Sequence, residues 1–153
     1  MARRTPPSVL MELHTADRVV RTLVYEELYR RGLAPNLLSI LVLIDLHEPI
    51  TPTELAAESG LRPTTLRDLV GQMIDRGHVT RHENADDKRS HFLVVTPAGR
   101  RFIVDSAPVL AAVQQDLEAR LGLSLESMRP SLTALRRAAR EALREEEPRI
   151  RGS

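Results

Sequence analysis

The sequence predicts a mainly α-helical protein that contains one small β-hairpin. Long segments carry apolar side chains every three or four positions, which is the spacing of a single helix face. Residues 79–83 and 91–95 instead have the composition of two short strands, and a charged loop joins them. Pro, Thr and Gly, the residues that commonly begin and end helices, separate these segments.

Composition limits the classes to which the protein can belong. Of its 153 residues, 42% are hydrophobic but only 3% are aromatic, so we expect an aliphatic core. The absence of cysteine excludes disulfides, cysteine-ligated zinc and a thiol redox switch. No apolar run approaches the roughly 20 residues of a membrane span, and the N-terminus lacks the apolar region of a signal peptide. We therefore expect a soluble cytoplasmic protein with no membrane partner.

The net charge of +1 conceals an uneven distribution along the chain. Residues 32–61 contain four acidic residues and no basic one, whereas residues 62–101 contain eight basic and five acidic residues. Local charge, rather than the sum, determines how strongly a surface attracts phosphates. The pattern favours a polyanion contact at residues 62–101, and the alternative is a solvated surface on which charges cluster by chance.

The N-terminal 34 residues predict one long amphipathic helix. Thr5, Pro6 and Pro7 are suitable for its start, and Gly32 and Pro35 are stop signals. Its apolar positions are Val9, Leu10, Leu13, Ala16, Val20, Leu23, Val24 and Leu28. This stripe is longer than a small core requires, so we expect it to pack on a second copy of the chain. Burial within the same chain is the alternative.

Residues 35–60 predict a buried helix followed by a short one. Leu37–Leu46 is apolar nearly all round and lies between Pro35 and Pro49, as expected of a central buried helix. Thr51 and Glu54 then have the spacing of a capping box. The short helix ends at Gly60, and the brief turn after it has the spacing of a helix-turn-helix, whose second helix enters the major groove of DNA.

The helix after Leu61 predicts a surface for DNA bases and phosphates. Leu66, Leu69, Val70 and Met73 form its apolar stripe, and Gly77 is suited to its C-terminal cap. Short or hydrogen-bonding side chains occupy the remaining surface, where arginine suits guanine and glutamine suits adenine. The predicted DNA-contacting residues here are Arg62, Thr64, Thr65, Arg67, Asp68 and Gln72.

The predicted hairpin, Val79–Glu83 and His91–Val95, places a basic tip beside this helix. Arg89 at the tip is expected to enter a narrow A·T-rich minor groove, and Lys88 to contact a phosphate. Asp87 is expected to hold the Arg89 guanidinium by a charge-assisted hydrogen bond. The alternative is an ordinary surface ion pair, worth about 0–1 kcal/mol.

The remaining residues predict two more long helices. Thr96 and Pro97 begin the first, Pro108 is expected to kink or break it, and Gly122 ends it. The second begins near Ser124 with an irregular start, because Pro130 falls in its early turns. Its near-heptad stripe contains Leu125, Met128, Leu132, Leu135, Ala139 and Ala142. We therefore expect an N-terminal dimerisation helix (1–34), a winged helix-turn-helix lobe (35–99) and C-terminal dimerisation helices (100–153).

Several motifs resemble those of the MarR family of bacterial transcriptional regulators. The family's wing signature is Asp-x-Arg, a strand and then Leu-Thr-x-x-Gly. Here the spacing is kept, with Val95 in place of the usual leucine and Arg62 in place of the usual serine cap. The similar segments are Thr53-Glu54-Leu55-Ala56 with Gly60, Thr64-Thr65-Leu66, Arg76-Gly77-His78-Val79, Asp87-Lys88-Arg89 and Thr96-Pro97-Ala98-Gly99.

This resemblance implies a homodimer that binds double-stranded, pseudo-palindromic DNA and represses transcription. It also implies release from DNA by a small phenolic or anionic ligand in a cleft between the dimer helices and the DNA-binding lobe. The candidate ligand-binding residues are His14, Arg18, Tyr25, Asp45 and His47, for which the alternative is ordinary surface or core roles. The chain lacks the tryptophan of the urate-responsive branch, which argues against that ligand.

Two other functions have some support in the sequence. His78, His82 and His91 cluster across the predicted hairpin, so a metal site or metalloenzyme is one alternative. A winged-helix module that binds only protein is another. No predicted helix carries His-x-x-x-His, and the sequence contains no Gly-x-Ser-x-Gly or glycine-rich phosphate loop. We therefore expect a regulator that is not an enzyme and uses no cofactor or metal.

Overall fold

The computed structural model describes residues 8–85, 87 and 89–150, with side chains up to residue 143. The elements in order are α1 (Val9–Arg30), α2 (Pro35–His47), α3 (Pro52–Ser59), α4 (Pro63–Asp75), β1 (Val79–Glu83), β2 (His91–Val95), α5 (Pro97–Leu121), a 3-10 helix (Leu125–Met128) and α6 (Arg129–Ile150). The predicted mainly α-helical fold with a β-hairpin wing is confirmed. In the part of the chain described, every helix is either too short or too polar to cross a membrane.

Helix α1 projects most of its apolar stripe into solvent. Ser8 caps it by accepting a hydrogen bond from the N–H of Met11, at 3.3 Å. The predicted start at Thr5–Pro7 lies outside the described residues. Val9 and Leu10 are 84% and 72% exposed, whereas Leu28, in the last turns, is buried.

Helix α2 is the buried central helix that the sequence predicts. Leu37, Leu41 and Ile44 are fully buried because α2 packs against α3, α4, α5 and β2. Leu55 of α3 and Met73 of α4 complete this aliphatic core. The two helices of the helix-turn-helix are thus held together by one cluster of apolar side chains.

A second, smaller cluster joins the long helices to this core. It contains Leu28 of α1, Leu38 of α2 and Val109 of α5. Packing therefore continues from the central core into the first and fifth helices. The division of the chain at residues 34 and 99 remains a prediction.

The wing is a two-stranded antiparallel hairpin whose bounds agree with the prediction. Val79 pairs with Val95, and the register continues to Glu83 and His91. The other edge of β2 is also occupied, because the N–H of Leu93 donates to the carbonyl of Ile50 at 2.8 Å. Strand β2 thereby joins the wing to the segment between α2 and α3.

Helix α4, the wing and α5 meet at a tight junction. Gly77 adopts a φ of +69°, and the N–H groups of Gly77 and His78 donate to the carbonyls of Ile74 and Met73. This is a Schellman motif, which ends α4 and turns the chain into β1. Thr96 donates through its hydroxyl to the carbonyl of Gly77, at 2.6 Å, and through its N–H to that of His78.

Gly99, the last residue of the wing motif, is required by packing. A Cβ at this position would lie 2.3 Å from the carbonyl oxygen of His78 and 2.8 Å from Cγ1 of Val95. Any side chain would therefore push the first turn of α5 away from the junction. The motif's glycine serves the fold of the wing base.

Helix α5 continues through Pro108, so the predicted break does not occur. Proline lacks the N–H that would bond the carbonyl of Val104. Val104 faces solvent, where water can satisfy that carbonyl. The irregular start predicted for the last helix is confirmed, since a 3-10 helix precedes Pro130 and α6 begins at Arg129.

We expect Gly99→Ala to lower the free energy of unfolding by about 1–3 kcal/mol, the usual cost of overpacking. The matched control is Gly71→Ala in α4, where an added Cβ meets nothing within 4 Å. That substitution should raise stability by about 1 kcal/mol through helix propensity. Urea denaturation measures both, and equal effects would contradict the packing role of Gly99.

Candidate nucleic-acid interface

Helix α4 has one buried face and one exposed polar face. Leu66, Val70 and Met73 are buried against α2 and α3, as predicted from their spacing. The side chains on the opposite side are all exposed, and they are the predicted set of Arg62, Thr64, Thr65, Arg67, Asp68 and Gln72. The fold thus presents these six side chains together on the surface.

The N-terminus of α4 retains unused backbone donors. Arg62 is the N-cap residue, and no side-chain cap hydrogen bond is found there among the described contacts. The first N–H groups of a helix have no partner within the helix. They also lie at its positive dipole end, where anions are favoured.

Helix α3, which supports α4, has a complete capping box. The hydroxyl of Thr51 accepts from the N–H of Glu54, and the carboxylate of Glu54 accepts from the N–H of Thr51 at 2.8 Å. This backbone hydrogen bond lowers the pKa of Glu54. The predicted capping box is therefore confirmed, and it sets the start of the helix-turn-helix.

Gln72 lies toward the first turn of α2. Nδ2 of Asn36 is 3.5 Å from Oε1 of Gln72, at the long limit of a hydrogen bond. This contact joins the polar face of α4 to α2, through a residue outside the predicted DNA-contacting set.

The wing tip is shaped by Asp87 in a way that differs from the prediction. Its Oδ1 accepts from the backbone N–H of Arg89 at 2.9 Å, rather than from the guanidinium. Its carbonyl accepts from the N–H of Ser90, also at 2.9 Å. An aspartate that bonds the backbone two residues later forms an Asx turn. Asp87 therefore fixes the main-chain conformation of the wing tip. Arg89 itself is exposed. Lys88 lies outside the described residues.

The wing base is tied to α2 by a cluster of charged residues. Oε2 of Glu48 accepts from the N–H of Val95 at 2.8 Å, and Oε1 of Glu48 pairs with Arg100. Arg100 also pairs with Asp45. The hydrogen bond that Arg100 donates to the carboxylate of Glu48 is the main reason that the pKa of Arg100 is raised. Because Glu48 and Arg100 are 52 residues apart, no local sequence pattern indicates this contact.

The predicted ligand-binding residues lie on two helices with different surroundings. His14 and Arg18 are exposed on α1, and Tyr25 is half-buried farther along it. On α2, Asp45 pairs with Arg100, whereas Nε2 of His47 lies 4.0 Å from Glu58. Asp45 and His47 thus contact different elements, and the described contacts do not join them to the three α1 residues.

A groove of about 320 Å³ lies elsewhere, between α5, the 3-10 helix and α6. Its lining is amphipathic and consists of Gln114, Leu125, Glu126, Arg129, Leu132, Thr133 and Arg136. None of these residues belongs to the predicted ligand set.

The three wing-region histidines do not converge. His78 stacks on Phe102 of α5, with ring centroids 5.0 Å apart. In the hairpin, His82 is paired with Phe92, and the next pair is Glu83 with His91. Successive pairs place their side chains on opposite faces of a sheet, so His82 and His91 lie on opposite faces of the hairpin. Within the described residues, no group of three or more His, Cys, Asp or Glu side chains is arranged to hold a metal ion. The geometry therefore does not support a shared metal site.

Comparisons with known proteins find a matching family model and similar transcriptional regulators. A family model described as MarR family matches residues 31–90, from the end of α1 to the wing tip. An uncharacterized HTH-type transcriptional regulator of Staphylococcus aureus (strain MSSA476) is 24% identical over 107 residues, which are 69% of this chain and 73% of that protein.

Solved structures match over nearly the whole chain. The M. tuberculosis transcriptional regulator MOSR in complex with DNA is 28% identical, with a TM-score of 0.72 over 90% of this chain and 99% of that one. CouR from Rhodococcus jostii RHA1 bound to p-coumaroyl-CoA is 24% identical, with a TM-score of 0.72 over 88% and 96% of the two chains.

We expect stability to fall as the pH is lowered from about 7.5 to about 5.5. Burial lowers the pKa of His78 and His91 below 6.5, and Nδ1 of His78 and Nε2 of His91 are buried without a hydrogen-bond partner. The unfolded chain therefore binds protons at a higher pH than the folded one, so stability is complete above about 6.5 and declines below it. His78→Gln should reduce this decline in urea denaturation, whereas His14→Gln, on exposed α1, should leave it unchanged. Equal pH dependence in both variants would contradict the role of His78.

Proposed function

We propose that the chain is a transcriptional regulator of the MarR family, whose model matches residues 31–90. In this proposal it binds double-stranded DNA sequence-specifically as a homodimer and represses transcription from a pseudo-palindromic operator. The observation that carries this proposal is the exposed polar face of α4 beside a wing with an exposed arginine. A helix in the major groove and an arginine in the minor groove contact the two sides of one DNA segment.

The α4 residues supply both phosphate contacts and contacts that distinguish bases. Thr64 and Thr65 lie in the first turn, where hydroxyls and free backbone N–H groups suit phosphate oxygens. Arg67 is one turn farther along the same face and suits the acceptor atoms of guanine. Asp68 suits the amino group of cytosine, because a carboxylate facing phosphate would be repelled.

The wing supplies the minor-groove contact. The Asx turn at Asp87 and Arg89 gives the tip a defined backbone shape, which lowers the entropy lost when Arg89 is fixed on DNA. Glu48 holds the other end of β2 through the N–H of Val95. Lys88 remains a proposed phosphate contact.

Dimerisation is supported by apolar surface on both terminal segments. Val9 and Leu10 on α1, and Leu132, Leu135 and Leu143 on α6, are exposed in the single chain. Large contiguous apolar patches on soluble proteins usually mark interaction sites. A second copy would bury these stripes and place two α4 helices on successive half-sites of an operator.

We propose a regulator without catalytic activity over the two alternatives. The opposite orientations of His82 and His91 disfavour the metal or metalloenzyme function. The exposed Arg62, Thr64, Thr65 and Arg67 favour nucleic acid over a module that binds only protein.

The proposal also includes a small-molecule effector. CouR has a similar fold, and its structure contains p-coumaroyl-CoA. We propose a small phenolic or anionic effector near Tyr25 and Asp45, with His14, Arg18 and His47 as further candidates. Displacement of the Asp45–Arg100 pair would give such a ligand direct access to the wing base.

Replacing Arg89 with alanine should weaken operator binding by roughly 1–3 kcal/mol. It should also reduce the slope of log affinity against log salt concentration by about one. The operator is first obtained by selection from random DNA, and affinity is then measured by fluorescence anisotropy at several salt concentrations. Arg120→Ala on α5 removes the same charge far from the wing and should leave affinity unchanged. An Arg89→Ala affinity equal to that of the wild type at every salt concentration would refute the minor-groove contact.

The dimer proposal predicts a mass of twice 17.2 kDa in light scattering at micromolar concentration. Leu132→Ser with Leu135→Ser should shift the population toward monomer, because both side chains belong to the exposed α6 stripe. Leu46→Ser serves as the control, since Leu46 is a comparably exposed leucine, 69% exposed on α2, that belongs to neither stripe. A wild-type mass of one chain would exclude the homodimer.

A further inference from the structure

One arginine of α6 contacts the helix-turn-helix of its own chain. Nη1 of Arg140 lies 2.7 Å from Oε2 of Glu58, and Nη2 donates to the backbone carbonyl of the same residue. Glu58 is in the last turn of α3. Nε2 of His47, the final residue of α2, lies 4.0 Å from the same carboxylate oxygen. Three helices therefore meet at one carboxylate.

The geometry of this contact is more specific than that of a single surface ion pair. One guanidinium uses two nitrogens to bind a side chain and a main-chain carbonyl, which fixes its direction as well as its distance. The carbonyls in the last turn of a helix have no partner within the helix, and a cation is favoured at that end. The side chains of Arg140 and Glu58 are only 22% and 26% exposed, so the contact is partly shielded from solvent.

The contact connects α6 back to the helix-turn-helix of the same chain. Helix α5 leaves the wing base, where Gly99 and Arg100 anchor it, and the 3-10 helix joins its far end to α6. Helix α6 then returns to α3 at Arg140. Among the described side chains, Arg140 makes the hydrogen bonds that join α6 to the helix-turn-helix. The chain itself connects α6 to the lobe through the 3-10 helix and α5.

We propose that Arg140 is a positioning residue that fixes the orientation of the DNA-binding lobe on α6, and thereby the spacing of half-sites that the dimer accepts. The proposal rests on the homodimer proposed above. Because α3 and α4 share one apolar core through Leu55 and Leu66, any rotation of α3 at Glu58 carries α4 with it. In a dimer built on α6, such a rotation changes the distance between the two α4 helices.

The absence of native cysteine allows this distance to be measured directly. Asp75→Cys places a single spin label at the exposed end of α4, and pulsed electron resonance reports the distance between the labels of the two copies. In the otherwise unaltered protein we expect one narrow distribution. Arg140→Ala should broaden it, and Arg137→Ala, on the exposed surface of the same helix, should leave it narrow.

Operator spacing supplies a second measurement, which a purely stabilising role would not change. Affinity is compared for the selected operator and for versions with one or two base pairs added between half-sites. Arg140→Ala should reduce the preference for the selected spacing by about tenfold, the size of one mismatched base pair's effect. Arg137→Ala should retain the wild-type preference.

Two further variants keep the test decisive if Arg140→Ala folds poorly. Arg140→Lys retains the charge, but its ammonium lacks the planar two-nitrogen geometry of arginine, so we expect an intermediate broadening. Glu58→Gln removes the ion pair but keeps the hydrogen bond from Arg140 to the backbone carbonyl at position 58. We expect this variant to show the same intermediate broadening. Unchanged distance distributions and spacing preference in all these variants would overturn the positioning role while leaving the DNA-binding dimer intact. A wild-type protein that is monomeric or binds no DNA would overturn both proposals.

Discussion

The carbonyl groups at the end of α4 hold the DNA-binding elements in place. Thr96 binds the carbonyls of Gly77 and His78, and Gly99 packs so closely on the second that no side chain can be added. This junction joins the end of α4, the base of both wing strands and the first turn of α5. The direction of the wing relative to α4 therefore depends on a few backbone contacts, which are short and leave little freedom. A small displacement at Thr96 would move α4 and the wing relative to each other.

Helix α2 supports this junction from the other side. Its apolar face forms the centre of the core, and its C-terminal residues connect three other elements. Glu48 binds the wing base and Arg100, Asp45 pairs with Arg100 on α5, and His47 approaches Glu58 on α3. The acidic segment before α4 thus has a structural role, because two of its four carboxylates, those of Asp45 and Glu48, pair with Arg100 near the start of α5. The positive charge at residues 62–101 is therefore partly neutralised at Arg100 and remains exposed at Arg67 and Arg89.

The local features of the fold were predictable from sequence, whereas its long-range contacts were not. The capping box at Thr51, the end of α4 at Gly77 and both wing strands are each encoded within a few residues, and the structure has them as expected. Pro108 was expected to kink or break α5, because sequence alone does not show that the freed carbonyl faces solvent. Asp87 was assigned to the Arg89 side chain, but an Asx turn to the backbone satisfies the same carboxylate. The partners of Arg100 and Arg140 come from segments more than 50 residues away, so no periodicity or motif indicates them.

In the proposed dimer, affinity for DNA and selection of half-site spacing would depend on different parts of the chain. The aliphatic core beneath α4 and the wing is built from lobe residues, with Phe102 and Ile103 of α5 packed against it. The stripes of α1 and α6 are exposed in a single chain, so the proposed association would stabilise these helices. A signal that loosens the connections between these parts, at Asp45–Arg100 or at Glu58–Arg140, would leave each α4 surface intact while changing the distance between the two. Repression would then be lost because the two half-sites are no longer bound together, with no change in the residues that contact each base pair.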